Sequence, residues 1–411
     1  MRLPRTAAAT LALVLAAGLP VALVTPAAAG SAAAPTSARS ADPVGGPLLG
    51  TDQRVVRPGP DAQKMPKVYA TTWVLANADT GEVLAAKGAH VQRPPASTLK
   101  TLTALTLLPR LDPEQVYTAT YQDASVEGSH VGIVPDATYT VHDLWNGLFL
   151  QSGNDAASAL ANANGGWKKS LRQMNEQARL LQAYDTYAVN PSGLDEPDQV
   201  SSAYDLALIS RAGLQREDFA AYASTIEADF PGRMPKKPGK KRPTYKIYTQ
   251  NRLLLHGFDG AIGVKTGYTT NAGRTYVGAA TRDGRTLIVT LMQITEPTED
   301  AAAKLLDWGF ANADKVTPVG VLVDPVDPDA PPSDPSQGTV APAAGGGDVA
   351  VAAGPGSVGT SVTGGVPGWL WALVLGLAVL AAVAALRVRA TARSRDRDQE
   401  RRQAGTFPPI G

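Results

Sequence analysis

Residues 275–293 run TYVGAATRDGRTLIVTLMQ. Two β-rich segments, Thr275–Thr281 and Thr286–Gln293, meet at Arg282-Asp283-Gly284-Arg285, and Asp-Gly between apolar runs is a strong signal of a two-residue hairpin. Immediately upstream, Gly263–Thr266 reads as another strand, and immediately downstream Pro297–Phe310 reads as a closing helix. Far upstream, Thr71–Asn77 and Glu82–Lys87 flank the turn residues Asp79-Thr80-Gly81. Helical periodicity fills the middle, over Ala96–Leu108, His142–Leu150, Asp155–Ala163, Trp167–Ala183 and Ala203–Gly213. One strand pair first, helices next and hairpin-linked strands last argue for an α+β fold with an antiparallel β-sheet flanked by helices. A doubly wound parallel sheet would alternate strand and helix throughout.

The ends of the 411-residue chain read differently. Arg2 and Arg5, the uncharged run Ala7–Val24 and Ala27-Ala28-Ala29 have the order of a signal peptide spanning residues 1–29. Residues 30–65, rich in Ala, Ser, Pro and Gly, read as a flexible lead-in. The globular body is expected over 66–316. Residues 317–365 hold eight prolines and ten glycines and read as a disordered stalk that cannot bury enough apolar surface to offset its ordering. Val366–Leu386 is uncharged and as a helix would rise about 31 Å, close to the hydrocarbon thickness. Seven arginines follow it in the tail 387–411 against Asp396, Asp398 and Glu400. The positive-inside bias therefore leaves a cytoplasmic tail and an extracytoplasmic body. Cysteine is absent, which removes disulfides, thiolate metal sites and a cysteine nucleophile together. With 38 basic and 37 acidic residues, no bulk attraction to nucleic acid is implied.

Chemistry is expected at three places. Ser97 and Lys100, three apart in a helix, share a face, and Lys100 is the only charge between Pro94 and Pro109. Burial of such an amine lowers its pKa, and a neutral amine beside a hydroxyl is a base for a nucleophile. The alternative is a helix-capping serine with a lysine reaching solvent. Ser152-Gly153-Asn154 puts a hydroxyl and an amide in one loop, or merely caps the next helix. Lys265-Thr266-Gly267 places a cation and a hydroxyl on a strand, with a glycine that permits close approach of a ligand backbone.

S-x-x-K, S-x-N and K-T-G, in that order, resemble the penicillin-recognising serine D,D-peptidases and serine β-lactamases, most closely the low-molecular-weight D-alanyl-D-alanine carboxypeptidases. The resemblance extends to Leu150–Ala156, Asn190-Pro191-Ser192-Gly193-Leu194 and Asp259–Thr269, within residues 66–312. It implies a β-lactamase/transpeptidase-like fold with a helical subdomain and removal of the terminal D-alanine from peptidoglycan stem peptides. It also implies covalent inhibition by β-lactams. Ser97 would be the nucleophile, Lys100 the base and Ser152 a proton relay, with Asn154 in the network. Lys265, Thr266, Gly267 and Tyr268 would bind substrate, and the Ser97 and Tyr268 N–H groups would form the oxyanion hole. No cofactor is implied. A β-lactamase shares these motifs, but the E-x-x-L-N loop of class A enzymes is not found around Glu176 or Glu196. D,D-endopeptidase and transpeptidase activities remain open. Many relatives carry an added β domain; the proline-rich segment directly after the closing helix leads us to expect that domain to be missing here.

His90, His130, His142 and His256 show no metal-ligand spacing, so no metal is expected. Arg233–Lys246 gathers seven cations and no acid. It reads as a solvated loop, or as a surface for anionic wall polymer or lipid headgroups.

Overall fold

The computed structural model describes residues 42–326, apart from Pro238. The strands are β1 (Arg54–Pro58), β2 (Ala70–Asn77), β3 (Glu82–Lys87), β4 (Val116–Thr118), β5 (Thr138–Thr140), β6 (Glu227–Pro231), β7 (Thr244–Tyr248), β8 (Ala261–Thr269), β9 (Gly273–Arg282), β10 (Arg285–Ile294), β11 (Val316–Thr317) and β12 (Gly320–Val321). The helices are α1 (Lys100–Leu107), α2 (Tyr121–Ala124), α3 (Val141–Leu150), α4 (Asn154–Ala163), α5 (Trp167–Leu180), α6 (Ala203–Leu214), α7 (Glu217–Ser224), α8 (Arg252–Leu255) and α9 (Thr298–Asn312).

The main sheet is antiparallel, in the order β11-β1-β3-β2-β10-β9-β8, with β12 also paired to β3. The hairpin at its centre is as the sequence has it: Arg285 pairs with Arg282, and Asp283 and Gly284 both have positive φ, 49° and 77°, the requirement of a type I′ turn. Side chains alternate across β10. Leu287, Val289 and Leu291 pack beneath α9 with Leu305, Leu306 and Trp308. Ile288 and Met292 turn the other way, into the core shared with α6 and α1. Burial on both faces explains why β10 reads as a nearly unbroken apolar run.

Two boundaries move. Residues 42–65, expected as flexible lead-in, enter the body: Leu49 is 1% exposed, and β1 pairs with both β3 and β11. Strand β1 is held mainly by backbone pairing, with its side chains half-buried or exposed, so it has no apolar period to read. The segment 317–326, expected as the start of the stalk, adds β12 and buries Leu322 to 1% exposure. Prolines confine such pieces to sheet edges. The expected signal peptide, the rest of the expected stalk, the expected span 366–386 and the tail lie outside the described residues, among which no helix is long and apolar enough to cross a membrane.

The middle of the chain forms a helical layer on one side of the sheet. Thr140 caps α3 in a reciprocal box with Asp143. The basic segment is the tip of the β6–β7 hairpin. There Arg242 lies over the Tyr139 ring at 4.6 Å, and Lys246 pairs with Glu227 and Asp229.

Candidate active site

Ser97 stands on a 3-10 turn, Ala96–Leu99, and Lys100 opens α1 directly behind it. The turn is pinned from below, because Pro95 O accepts from Thr98 Oγ1 at 2.5 Å and from Thr275 Oγ1 on β9 at 2.9 Å. Ala96 takes φ of +50°, a conformation that non-glycine residues seldom adopt. Gly193 is packed so closely on this turn that a Cβ there would overlap the Ala96 carbonyl oxygen.

Lys100 is fully buried. Its Nζ lies 2.9 Å from Ser97 Oγ, 2.7 Å from Asn154 Oδ1 and 2.7 Å from the Ser192 carbonyl oxygen. Burial, and then the nearby Lys265 charge, hold its pKa well below the ordinary lysine value. A neutral amine has two N–H donors and one lone pair. Asn154 Oδ1 and Ser192 O can only accept, so they take both donors, and the lone pair is left for the Ser97 hydroxyl. The amide of Asn154 cannot be reversed, because its Nδ2 donates to Glu127 O at 2.7 Å.

Each partner is itself held. Asn190 Oδ1 accepts from the backbone N–H groups of Ser192, Gly193 and Leu194 and from the Ser192 hydroxyl, a side-chain-nucleated turn that aims the Ser192 carbonyl at Lys100. Asp155, buried next to Asn154, accepts from the N–H groups of Val131, Gly132 and Ile133, which fixes the loop beside Asn154. Ser152, between α3 and α4, is buried with φ of +56°. Backbone strain at such points gathers where function over-determines the structure.

On the facing strand β8, Lys265 is 2% exposed. Its Nζ donates to Thr266 O at 2.8 Å, and burial pushes its pKa down to about 7. Gly267 lies against the nucleophile turn: a Cβ there would come within 2.8 Å of the Ser97 backbone nitrogen. Ser97, Ser152, Thr266, Gly267 and Tyr268 line one cleft of about 510 Å³. Lys100 and Asn154 form its floor behind Ser97. Lys265 does not line the cleft; it sits buried on β8 beside Thr266, near enough for its charge to act on Lys100.

The structure adds groups the sequence left without a role. Ser192 contributes through its carbonyl, and Asp155 through a loop it tethers. Arg274, opposite Tyr268 in the β8–β9 register, also lines the cleft. The Asn-Pro-Ser-Gly run was the one signal available for the first of these.

Comparison with known proteins agrees with this geometry. Residues 60–295 match the model of the peptidase S11 family, described as D-alanyl-D-alanine carboxypeptidase. The chain is 42% identical over 254 residues to the D-alanyl-D-alanine carboxypeptidase DacB2 of Mycobacterium tuberculosis, covering 60% of this chain and 84% of that protein. A crystal structure of a D-alanyl-D-alanine carboxypeptidase from M. tuberculosis superposes with a TM-score of 0.59 at 39% identity, over 65% of this chain and all of that one. The Streptomyces K15 DD-transpeptidase superposes with a TM-score of 0.56 at 28% identity, over 61% of this chain and all of that one.

Proposed function

The chain belongs to the peptidase S11 family of D-alanyl-D-alanine carboxypeptidases, and from that premise we propose how its own residues divide the work. The enzyme is a hydrolase of cell-wall peptides ending in D-Ala-D-Ala. Ser97 Oγ attacks the carbonyl carbon of the penultimate D-alanine while its proton passes to the Lys100 lone pair. The oxyanion is received by the backbone N–H groups of Ser97 and Tyr268, each such donor typically worth about 3 kcal/mol in the transition state. Collapse breaks the peptide bond. The proton returns through Ser152 to the departing amine of D-alanine, leaving an acyl-Ser97 ester. Water activated by Lys100 then hydrolyses that ester and regenerates the hydroxyl. Lys265 and Thr266 hold the terminal carboxylate by a charge-assisted bond and a hydroxyl donor.

The observation that carries this reading is Lys100: fully buried, with both N–H donors committed and Ser97 Oγ at 2.9 Å. The full chain is expected to release D-alanine from a D-Ala-D-Ala peptide and to take up labelled penicillin at Ser97. Ser97→Ala should abolish both. A well-folded wild type that does neither would sink the assignment.

We also propose that the body is exported and held outside the membrane by the 366–386 segment. The charge asymmetry around that segment supports this placement. Membrane fractionation, with and without residues 366–411, tests it: the shortened chain should be released.

A further inference from the structure

Away from the cleft, three side chains distant in sequence converge. His90 follows β3, Asp185 follows α5, and Asp205 lies in the first turn of α6. His90 Nδ1 is 2.7 Å from Asp185 Oδ2, and one ligand atom from each of the three residues lies within 4.8 Å of the others. Asp205 is 1% exposed. Its Oδ2 accepts from Thr186 Oγ1 at 2.7 Å, whereas its Oδ1 has no hydrogen-bond partner among the described residues. A buried carboxylate oxygen without a partner is costly, and this one belongs to a group facing a second carboxylate.

The histidine is set for a metal. Its Nε2 lies 3.0 Å from the Val44 carbonyl oxygen. A carbonyl can only accept, so Nε2 carries a proton; the Asp185 oxygen 2.7 Å from Nδ1 can likewise only accept, so a metal ion would take the place of the Nδ1 proton and receive that nitrogen's lone pair. Tying the distal ring N–H to a backbone carbonyl is how proteins fix the tautomer and orientation of a metal-binding imidazole.

We propose that His90 Nδ1, Asp185 and Asp205 bind one divalent transition-metal ion, with Zn²⁺ as the best match, in a structural role. An imidazole nitrogen with two carboxylate oxygens suits zinc better than the all-oxygen cages of Ca²⁺. Ligand atoms about 2.1 Å from one ion stand roughly 3.0–3.4 Å apart. The Nδ1–Oδ2 contact of 2.7 Å therefore needs to open by a few tenths of an ångström, while the three ligand atoms, which lie within 4.8 Å of one another, need to draw in around the ion. The side chains of His90 and Asp185 are 18% and 23% exposed, which gives the ion a path in and leaves room for water to complete its shell.

The ion would brace the approach to the nucleophile. Thr186, which bonds Asp205, is also 2.9 Å from Ser201 Oγ. Ser201 exchanges two backbone hydrogen bonds with Arg93, at 2.8 and 2.9 Å, four residues before Ser97. Through the imidazole, the same ion would tie in Val44 of the segment before β1.

The test is equilibrium dialysis of the chelator-treated full chain against Zn²⁺, with thermal unfolding alongside. About one Zn²⁺ per chain is expected, with affinity reduced at least about tenfold in His90→Gln and Asp205→Asn. At hundredfold excess over the wild-type Kd, zinc should raise the wild-type Tm by about 5 °C or more and the variants' Tm by about half of that or less. If Asp205→Asn does not fold, the more exposed Asp185→Asn replaces it. Failure to retain zinc would mean that protons alone settle the cluster, and the proposal falls. It falls equally if the variants bind zinc as the wild type does, or if Ca²⁺ stabilises as strongly as Zn²⁺ at equal concentration.

Discussion

The two buried lysines set both the pH response and part of the stability of the protein. Lys265 must be a cation to hold a carboxylate, and its pKa in the free enzyme is lowered to about 7 by burial. Its charge is lost as pH rises through that value, so kcat/KM for a D-Ala-D-Ala peptide should fall on the alkaline side of about pH 7. Lys265→Arg, whose guanidinium stays charged, should move that limb upward, and a wild-type profile flat from pH 6 to 9 would refute the assignment. Stability runs the opposite way. Between about pH 7 and the ordinary lysine value of ~10.4, the unfolded chain holds a proton that the folded chain has shed, so folding stability rises with pH across that window. Below it, the buried cation carries its full desolvation penalty. Lys265→Met is therefore expected to gain on the order of 1–3 kcal/mol in denaturant unfolding at pH 6 and to lose carboxypeptidase turnover. Gly193→Ala should be severe in both respects, because its Cβ meets the Ala96 carbonyl. Circular dichroism melting and penicillin labelling would show a lower Tm together with slowed acylation.

The elements around the cleft were unequally legible. The β9–β10 hairpin was readable because turn chemistry and apolar alternation agree there, and the helices α3 to α6 because their periodicity is long. The β6–β7 hairpin was not: its strands are mostly exposed, and the cations at its tip read as a solvated loop or a surface for anionic polymer, not as a hairpin. The hairpin nevertheless reaches the site close to its turn. Tyr245 of β7 donates to the Val131 carbonyl at 2.6 Å, in the loop that Asp155 holds through three N–H groups. Tyr245→Phe should loosen that loop and raise KM more than it lowers kcat. Steady-state kinetics decide this, and an unchanged KM would leave the hairpin without a part in substrate binding. Shortening the tip between residues 233 and 241 should weaken binding to isolated cell walls at low salt, and unchanged binding would reduce the cations to a solvated face. The Ser-x-x-Lys, Ser-x-Asn and Lys-Thr-Gly residues could be found from spacing and chemistry. The Asn-Pro-Ser-Gly run marked the place of Ser192 but not its role, since a backbone acceptor leaves no residue type to recognise.

At the scale of the whole molecule, the pieces invisible in the sequence are the edge strands β1, β11 and β12, which bind mainly through backbone. Their contribution is measurable: Leu322→Ala should cost about 2–4 kcal/mol, read by urea unfolding, although the residue lies in what resembles linker. The same sheet has a consequence for biosynthesis. Strand β2 pairs with β3 on one edge and with β10 on the other, where Val74 faces Thr290, so that second edge stays open until more than two hundred further residues have left the ribosome. At usual elongation rates of 5–20 residues per second that delay is roughly 10–40 s. Pairing so remote in sequence is also slow to form. A nascent chain of this topology remains threadable for most of its synthesis, which is the condition a translocation channel requires of its cargo.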